Sequence, residues 1–585
     1  MKIKHLFGLA VIAAMTASCS SNEDLGNPGP GTGTNEAGVG YATFTINLPS
    51  VGGTRAADAG GAEMNEGTPE EYAVKSATAL IFQKYGSDEG SYKFVESVTL
   101  PIDGWTDDAT DGITTTSQKL VAKLTNVDTK NDYSVLILLN NKKVGLPTVG
   151  QSYNDWNSKN ILTLSATDWA GSDGFYMANA PLKGSDASPA TLVPIDKNKI
   201  YASEAKAKED ASTCAATVYV ERGVAKMTVA DPGTITVKDK AKPTVPTKSE
   251  VTFSNWALDI TNKKTFAVHN IDGLKSDFGD IWKTDPSNRF IGTNNRVYWG
   301  KDPNYDNKDL KLTDKDAERE AEFNFITATS DINKDFIKGT NTNPVYCLEN
   351  TFNLTNMYQG QTTRVIFKAT YTPKDDGGNP LADDDDGTFY TIGNMTTILN
   401  KDKLKAAVDA VANPVLPTGY TIDYTNFKTK EGSHVITLAD IKDATGTVLV
   451  GATPYSIGTG TKTGDDIVAD INAKLGLKAG RPEEMVGINT YYKGVTYYIA
   501  RVKHFGELTH WNSGESYSDN NAKYLGRYGM LRNNWYELQV GNVYGPGYPG
   551  VPPVDPTLPD DENEKYLSVS VKILSWAKRS DTVDL

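Results

Sequence analysis

Stretches that alternate apolar and polar residues, bounded by turn residues, recur along most of this chain. In "YATFTINLP" (41–49), Phe44, Ile46 and Leu48 alternate with Thr43, Thr45 and Asn47. "ATALIFQKY" (77–85), "YKFVESVTL" (92–100), "KLVAKLTNV" (119–127) and "YSVLILLNN" (133–141) follow as alternating, β-branched or aromatic runs. A period of two turns one side of a strand to a core and the other to water. Helical spacing is rare. "NKDKLKAAVDAVAN" (400–413) sets Leu404, Ala407, Val408 and Val411 on one face, and Asn413-Pro414 ends it. Many short strands with few short helices predict an all-β chain of packed sandwiches rather than a parallel α/β sheet. At 585 residues the chain needs more than one core. "ATVYVERGVAKMTV" (216–229), bent at Gly223, is the natural join between two sandwiches.

Two strands stand apart from the rest. Strand 41–49 lies between "SSNEDLGNPGPGTGTNEAGV" (20–39), which has too little apolar surface to fold, and the patternless "GGTRAADAGGAEMNEGTPEE" (52–71). At the other end, "GPGYPGVPPVDPTLPDDE" (545–562) reads as a stiff, extended linker. It leads into "KYLSVSVKILSW" (565–576), where Leu567, Val569, Val571 and Ile573 alternate with Ser568, Ser570 and Lys572. Each has the composition of a core strand and no partner beside it in sequence. Between them, Arg55 is the only arginine before the first sandwich, and it lies in an exposed stretch.

Charge and motifs exclude several functions. A net charge of −14 with no Lys/Arg cluster argues against a nucleic-acid partner. The start, "MKIKHLFGLAVIAAMTASCSSNED", reads as a signal peptide, with two lysines, an apolar run from Leu6 to Met15, and small residues before Cys19. "TASC" resembles a lipobox whose cysteine is lipidated after cleavage, although Thr16 stands where Leu is commoner. Cys214 and Cys347 are too few and too far apart for a disulfide framework or a metal site, and read as small buried residues. His504 and His510 lack zinc spacing. "SIGTGTKTGD" (456–465) lacks the Gly-Lys pair of a phosphate loop and reads as a turn. Asp302, Asn304 and Asp306 have calcium-loop spacing, but Asn307 replaces the turn glycine and Thr313 the closing glutamate. Asp383 to Asp386 could hold a loose structural calcium, with a solvated acidic turn the simpler reading. No cofactor motif and no catalytic motif is present, so the chain is not expected to be an enzyme.

In their order, lipobox, tether, orphan strand, lone arginine, β-domains and terminal strand resemble the fimbrillins, the type V pilins of Bacteroidales. "VYVERGVAKMTV", "RYGMLRNNWYELQVGNVYGPGYP" and "YLSVSVKILSW" carry the likeness locally, and it is strongest to stalk subunits. The resemblance implies transthyretin-like sandwiches and a leader removed by an arginine-specific or trypsin-like protease. It therefore implies a signal peptide at 1–18 and a lipidated leader at 19–55 with strand 41–49 inside it. The N-terminal sandwich would be 56–220, the C-terminal sandwich 221–544, and the linker and donor strand 545–585. Cutting between Arg55 and Ala56 would remove Cys19, the lipid and strand 41–49 together. The vacated groove would accept a strand from another copy. The expected partners are copies of itself, tip and anchor subunits, the protease, and the outer membrane through the lipid before the cut. A cell-surface fimbrium is the expected destination. The alternatives are a surface glycan-binding lipoprotein, which would keep its lipid, and a tip or anchor subunit, which would need no terminal donor strand or no cleavage.

Overall fold

The computed structural model describes residues 33–35, 38–49, 64–65, 67–103, 105, 117–128, 130–183, 189–209, 214–242, 244–274, 296–339, 341–383, 385–429, 431–504, 525–560 and 567–576. The chain is mostly strand, arranged in many sheets with few helices, as the alternating pattern predicts.

Strand β1 (Gly40–Asn47) comes first, and a two-residue β2 (Met64–Asn65) follows it. The other principal strands of the N-terminal half are β3 (Ala77–Gln83), β4 (Lys93–Leu100), β5 (Ser117–Leu124), β6 (Tyr133–Leu139), β7 (Met177–Asn179), β8 (Val193–Ile195), β9 (Ile200–Tyr201) and β10 (Ala216–Arg222). A short helix, α1 (Glu204–Glu209), precedes β10. The hydrogen-bonded order is β9-β1-β10-β7-β6-β3-β4, with β5 on β1 and β8 on β6. Strand β10 serves two layers. Ala216 to Tyr219 pair in parallel with β1, and Val220 to Arg222 pair antiparallel with β7. The layers close over Phe44, Ile46, Leu80, Phe82, Leu136, Leu138 and Val218. Strand β6 is central, so "YSVLILL" is buried at every position and carries no alternation.

Gly223 ends β10 and turns the chain into β11 (Val224–Val229). A Cβ there would lie 2.5 Å from the Trp169 ring, which stacks on Tyr176 at 4.4 Å. The bend needs glycine because two aromatic rings fill the space beside it. The C-terminal half then runs through β12 (Thr234–Lys238), β13 (Pro246–Asp259), β14 (Val345–Leu348), β15 (Arg364–Thr372), β16 (Phe389–Ile392), α2 (Lys401–Ala412), β17 (Gly432–His434), α3 (Gly464–Leu475), β18 (Ile488–Tyr491), β19 (Val495–Arg501), β20 (Asn534–Val543) and β21 (Leu567–Trp576). Sheet β12-β13-β15-β19 and sheet β2-β21-β20-β11-β14 border one core that includes Met227, Val251, Trp256, Phe367, Tyr498, Tyr536 and Leu538.

Between β16 and β18 a separate small core forms around α2 and α3, with Leu404, Val408, Ile467 and Ile471 inside. The spacing at 400–413 marks α2, whose N-cap Asn400 accepts from the Lys403 amide. Helix α3 corrects the reading of "SIGTGTKTGD" as a turn alone. A hairpin turns at Gly458, and Thr463 then caps a helix with Asp466 three residues on.

Candidate functional site

Strand β1 is enclosed on both edges. All eight of its positions pair antiparallel with β5, from Gly40↔Leu124 to Asn47↔Ser117. On the other edge Phe44 to Asn47 pair in parallel with Ala216 to Tyr219, and Tyr41 and Ala42 with Tyr201 and Ile200. Ala42, Phe44 and Ile46 are 0% exposed and Leu48 is 3% exposed. Burying the three larger side chains stabilises the strand by roughly 5–9 kcal/mol at most, before its backbone hydrogen bonds.

The outer side of β1 is held by polar contacts. Thr43 Oγ1 donates to the Ala207 carbonyl of α1 at 2.8 Å, and the Thr43 carbonyl accepts from the Ala215 amide at 2.8 Å. Thr45 Oγ1 lies 2.6 Å from Cys214 Sγ, and Asn47 Nδ2 donates to the Val218 carbonyl at 3.3 Å. Ala207 of α1, together with Cys214 and Ala215 before β10, therefore clasps the strand. Sequence reasoning missed this clasp, since "EAKAKE" is only six residues long and has little apolar face. Cys19, Arg55 and Ala56 lie outside the described residues.

The second predicted strand sits elsewhere than expected. Leu567, Val569, Val571 and Ile573 were expected beyond a stiff linker that keeps them off their own domain. Instead β21 pairs antiparallel with β20, placing Val543↔Leu567, Val540↔Val569, Leu538↔Val571 and Tyr536↔Ile573 in register. Among the described residues, Met64 and Asn65 of β2 meet its other edge, at Ser575 and Trp576.

The linker is a docked strap. Arg364, 2% exposed and paired through Nε with Asp259 at 2.8 Å, donates to the carbonyls of Pro552 and Pro553. Tyr498 and Tyr491 donate to the carbonyls of Gly545 and Gly547, and the Asp560 amide donates to Met357. Proline lacks an amide proton but keeps its carbonyl, so a buried arginine and tyrosine hydroxyls can hold the strap. These donors lie far away in sequence, so the Pro-rich run reads locally as free.

Other candidates resolve into structure. Asp302 is buried and accepts from the amides of Thr351 and Asn304 and from Asn262 Nδ2. Burial pushes its pKa up to about 7, against those hydrogen bonds. Asp306 meets Asn353 instead, so the two carboxylates serve different partners. Carboxylate oxygens of Asp383, Asp385 and Asp386 lie within 4.8 Å of one another. Asp383 accepts from the Lys401 amide at the start of α2, and Lys401 Nζ lies 3.4 Å from Asp385. Asp383 thus meets the first amide of α2, while the three carboxylates keep a grouping that could hold a metal ion. His504 pairs with the Tyr536 hydroxyl at 2.8 Å, and His510 lies outside the described residues. Cys214 and Cys347 are free thiols. Cys347 is buried as expected, with its pKa pushed up to about 12, whereas Cys214 is half-buried beside Thr45.

A buried polar junction joins the halves and was not foreseen. Glu71 and Lys226, both 0% exposed, meet at 2.7 Å. Arg222 Nε donates to the Glu71 carbonyl, Tyr346 donates to its carboxylate, and Lys226 Nζ stands 3.4 Å above the Trp535 ring. Glu71 lies just before β3 in sequence, so the chain entering the N-terminal half is pinned onto the C-terminal half.

Residues 489–582, which include β20, the strap and β21, match the family described as major fimbrial subunit protein type IV, fimbrillin, C-terminal. The C-terminal region of this chain is thus similar to the C-terminal region of fimbrillins. No curated protein sequence matches the chain. Among solved structures, the chain is similar to a candidate cell adhesion protein from Parabacteroides distasonis, with 11% identity, a TM-score of 0.36, and coverage of 92% of this chain and 97% of that one. A second candidate cell adhesion protein from the same organism gives 12%, 0.33, 92% and 99%. The tip fimbrial protein Mfa3 from Porphyromonas gingivalis, with a C-terminal truncation, gives 10%, 0.27, 92% and 100%.

Proposed function

We propose that this chain is a structural fimbrial stalk subunit that polymerises by protease-triggered donor-strand exchange and supports adhesion at the cell surface. The coarse part, a fimbrial or adhesive subunit, follows the fimbrillin match over residues 489–582. One observation carries the finer part. Strand β1 is bonded on both edges and buried on its inner face, yet a patternless stretch containing Arg55 separates it from β3. Hydrolysis of the Arg55–Ala56 peptide bond by an arginine-specific protease detaches β1 from the rest of the chain. Its departure exposes an apolar groove flanked by unpaired backbone groups, which another copy's β21 fills. Before the cut, Cys19 anchors the precursor to the outer membrane through its lipid.

The test is Arg55→Ala. It should leave folded, lipidated monomers, because a tethered β1 at high effective concentration outcompetes any incoming strand. Normal fibre growth by this variant would sink the proposal.

A second reading has its own support. The pairing of β21 with β20 is what a tip subunit that keeps its last strand would show. Removing residues 566–585 separates the two. A folded, cleavable and non-polymerising product supports the stalk, and an unfolded C-terminal domain supports the tip.

A further inference from the structure

We infer a single register for the incoming strand, with Leu567, Val569, Val571 and Ile573 taking the places of Ala42, Phe44, Ile46 and Leu48. The inference rests on the strand-exchange reading above and adds what that reading leaves open. A β-strand can slide by two residues and keep its inward and outward sides, so apolar alternation alone does not choose among registers.

The outer side of β1 makes the choice. Thr43, Thr45 and Asn47 each meet a fixed group of the receiving domain: the Ala207 carbonyl, Cys214 Sγ and the Val218 carbonyl. The terminal strand carries Ser568, Ser570 and Lys572 at the same spacing. In the inferred register each hydroxyl replaces a hydroxyl, and an ammonium donor replaces an amide donor. The inward set fits as a whole. Leucine for Ala42 and valine for Phe44 exchange volume between neighbouring positions, and Val571 and Ile573 stand close in size to Ile46 and Leu48.

The two neighbouring registers fail on particular residues. Sliding the strand so that Val569 takes the Ala42 position sets Lys572 against Cys214, Leu574 at the half-exposed Asn47 position and Ser575 at that of Leu48. Sliding it the other way brings Lys565 to the position of Ala42, which is 0% exposed, and buries an ammonium without a partner. A slip of one residue turns Ser568, Ser570 and Lys572 inward.

Cys214 allows the register to be read directly. Fibres are grown from full-length chains carrying Ser568→Cys, Ser570→Cys or Lys572→Cys, oxidised, and run on a denaturing gel without reductant. Adjacent positions on one side of a strand differ by about 7 Å, which exceeds what a disulfide spans without backbone movement. Ser570→Cys should give a ladder of covalent oligomers that collapses with reductant and disappears in Cys214→Ser. The other two should link at least tenfold less.

A second pair guards against poor assembly of Ser570→Cys. Asn47 stands in register with Tyr219, so Lys572→Cys with Tyr219→Cys in a Cys214→Ser background should form the same ladder. Linking through Ser568→Cys or Lys572→Cys to Cys214, with Ser570→Cys silent, overturns the register and leaves strand exchange standing. Fibres that form with no linkage in any variant overturn both.

Discussion

Strands β1 and β21 have matching apolar alternation and opposite surroundings. Strand β1 has a full-length partner on one edge, a divided pair of partners on the other, and a clasp over its outer side. Among the described residues, strand β21 has one long partner, and two residues of β2 meet its other edge. A strand bonded on both edges cannot leave one residue at a time without exposing its neighbours, whereas an edge strand peels. On the proposed strand-exchange reading, the enclosed strand is the one that needs a covalent cut, and the edge strand is the one that changes partners. On that same reading, the pairing of β21 with β20 is a resting state that covers the edge of β20 before assembly.

The comparison breaks most visibly under a buried charge. Ile46→Asp should destabilise the precursor by about 3–5 kcal/mol, because its carboxylate has no partner in the core. It should lower the melting temperature of the N-terminal half, while any protein that matures loses the mutated strand and assembles normally. Val571→Asp should do the reverse, leaving the precursor folded and stopping fibre growth. If Val571→Asp unfolds the precursor as strongly as Ile46→Asp, the two strands are equivalent core elements and the contrast is void.

The strap gives the next largest effect. Arg364→Leu leaves Asp259 buried without its cation and removes the donors to Pro552 and Pro553. Breaking one side of a buried pair costs about 3–5 kcal/mol. Limited proteolysis should then cut within 545–560 in the variant and not in the parent. Resistance equal to the parent's would mean that the tyrosine contacts alone hold the strap.

How much of this was legible depends on where each partner lies. Strand 41–49 declares itself because alternation is local, and so does α2, through Asn400 and the Leu404–Val408 spacing. Helix α3 was equally written, with Thr463 and Asp466 as a capping box and Ile467, Ile471 and Leu475 four apart. It escaped notice because glycines and threonines in the hairpin before it drew attention to a phosphate loop. The docking of the strap was not legible, since it depends on Arg364 being paired with Asp259, 105 positions away. The clasp on β1 depends on a backbone carbonyl at Ala207 and on Cys214, which no side-chain pattern announces. The role of Asp302 was not legible for the same reason, because Asn262 and Thr351 bring that carboxylate into a hydrogen-bond network from distant parts of the chain.

Each half also holds a carboxyl with its pKa near neutrality, which allows the halves to be compared by pH. Burial pushes Glu89 up to about 7, against the Thr191 and Leu192 amides it accepts, and pushes Asp302 to about 7 in the other half. A raised carboxyl pKa contributes stability that is full below the unfolded value, near 4.5 for Glu89, and is lost as pH rises through 7. Glu89→Gln should remove this dependence from the N-terminal half alone. Relative to the parent the variant should gain about 1–2 kcal/mol between pH 5 and pH 8, with the shift discounted for partial exposure. Hydrogen exchange resolved by domain should show the C-terminal half still loosening with pH. A parallel response in both halves would mean that they unfold as one unit, joined through Glu71 and Lys226.

The smallest effect probes the clasp. Thr43→Val keeps the branched shape that suits a strand and deletes only the hydroxyl that donates to Ala207. A net loss of about 1 kcal/mol in precursor stability is expected, the usual contribution of one such hydrogen bond. On the strand-exchange reading residue 43 departs with the leader, so the mature subunit should not register the change. Ser568→Ala should have the complementary profile, leaving the precursor at parental stability and making assembled fibres dissociate at slightly lower denaturant. The two substitutions remove one hydroxyl from the same place at different stages, if the terminal strand takes the leader's position. Should Ser568→Ala weaken the precursor and spare the fibre, that hydroxyl serves the resting pairing with β20, and the clasp belongs to the leader alone.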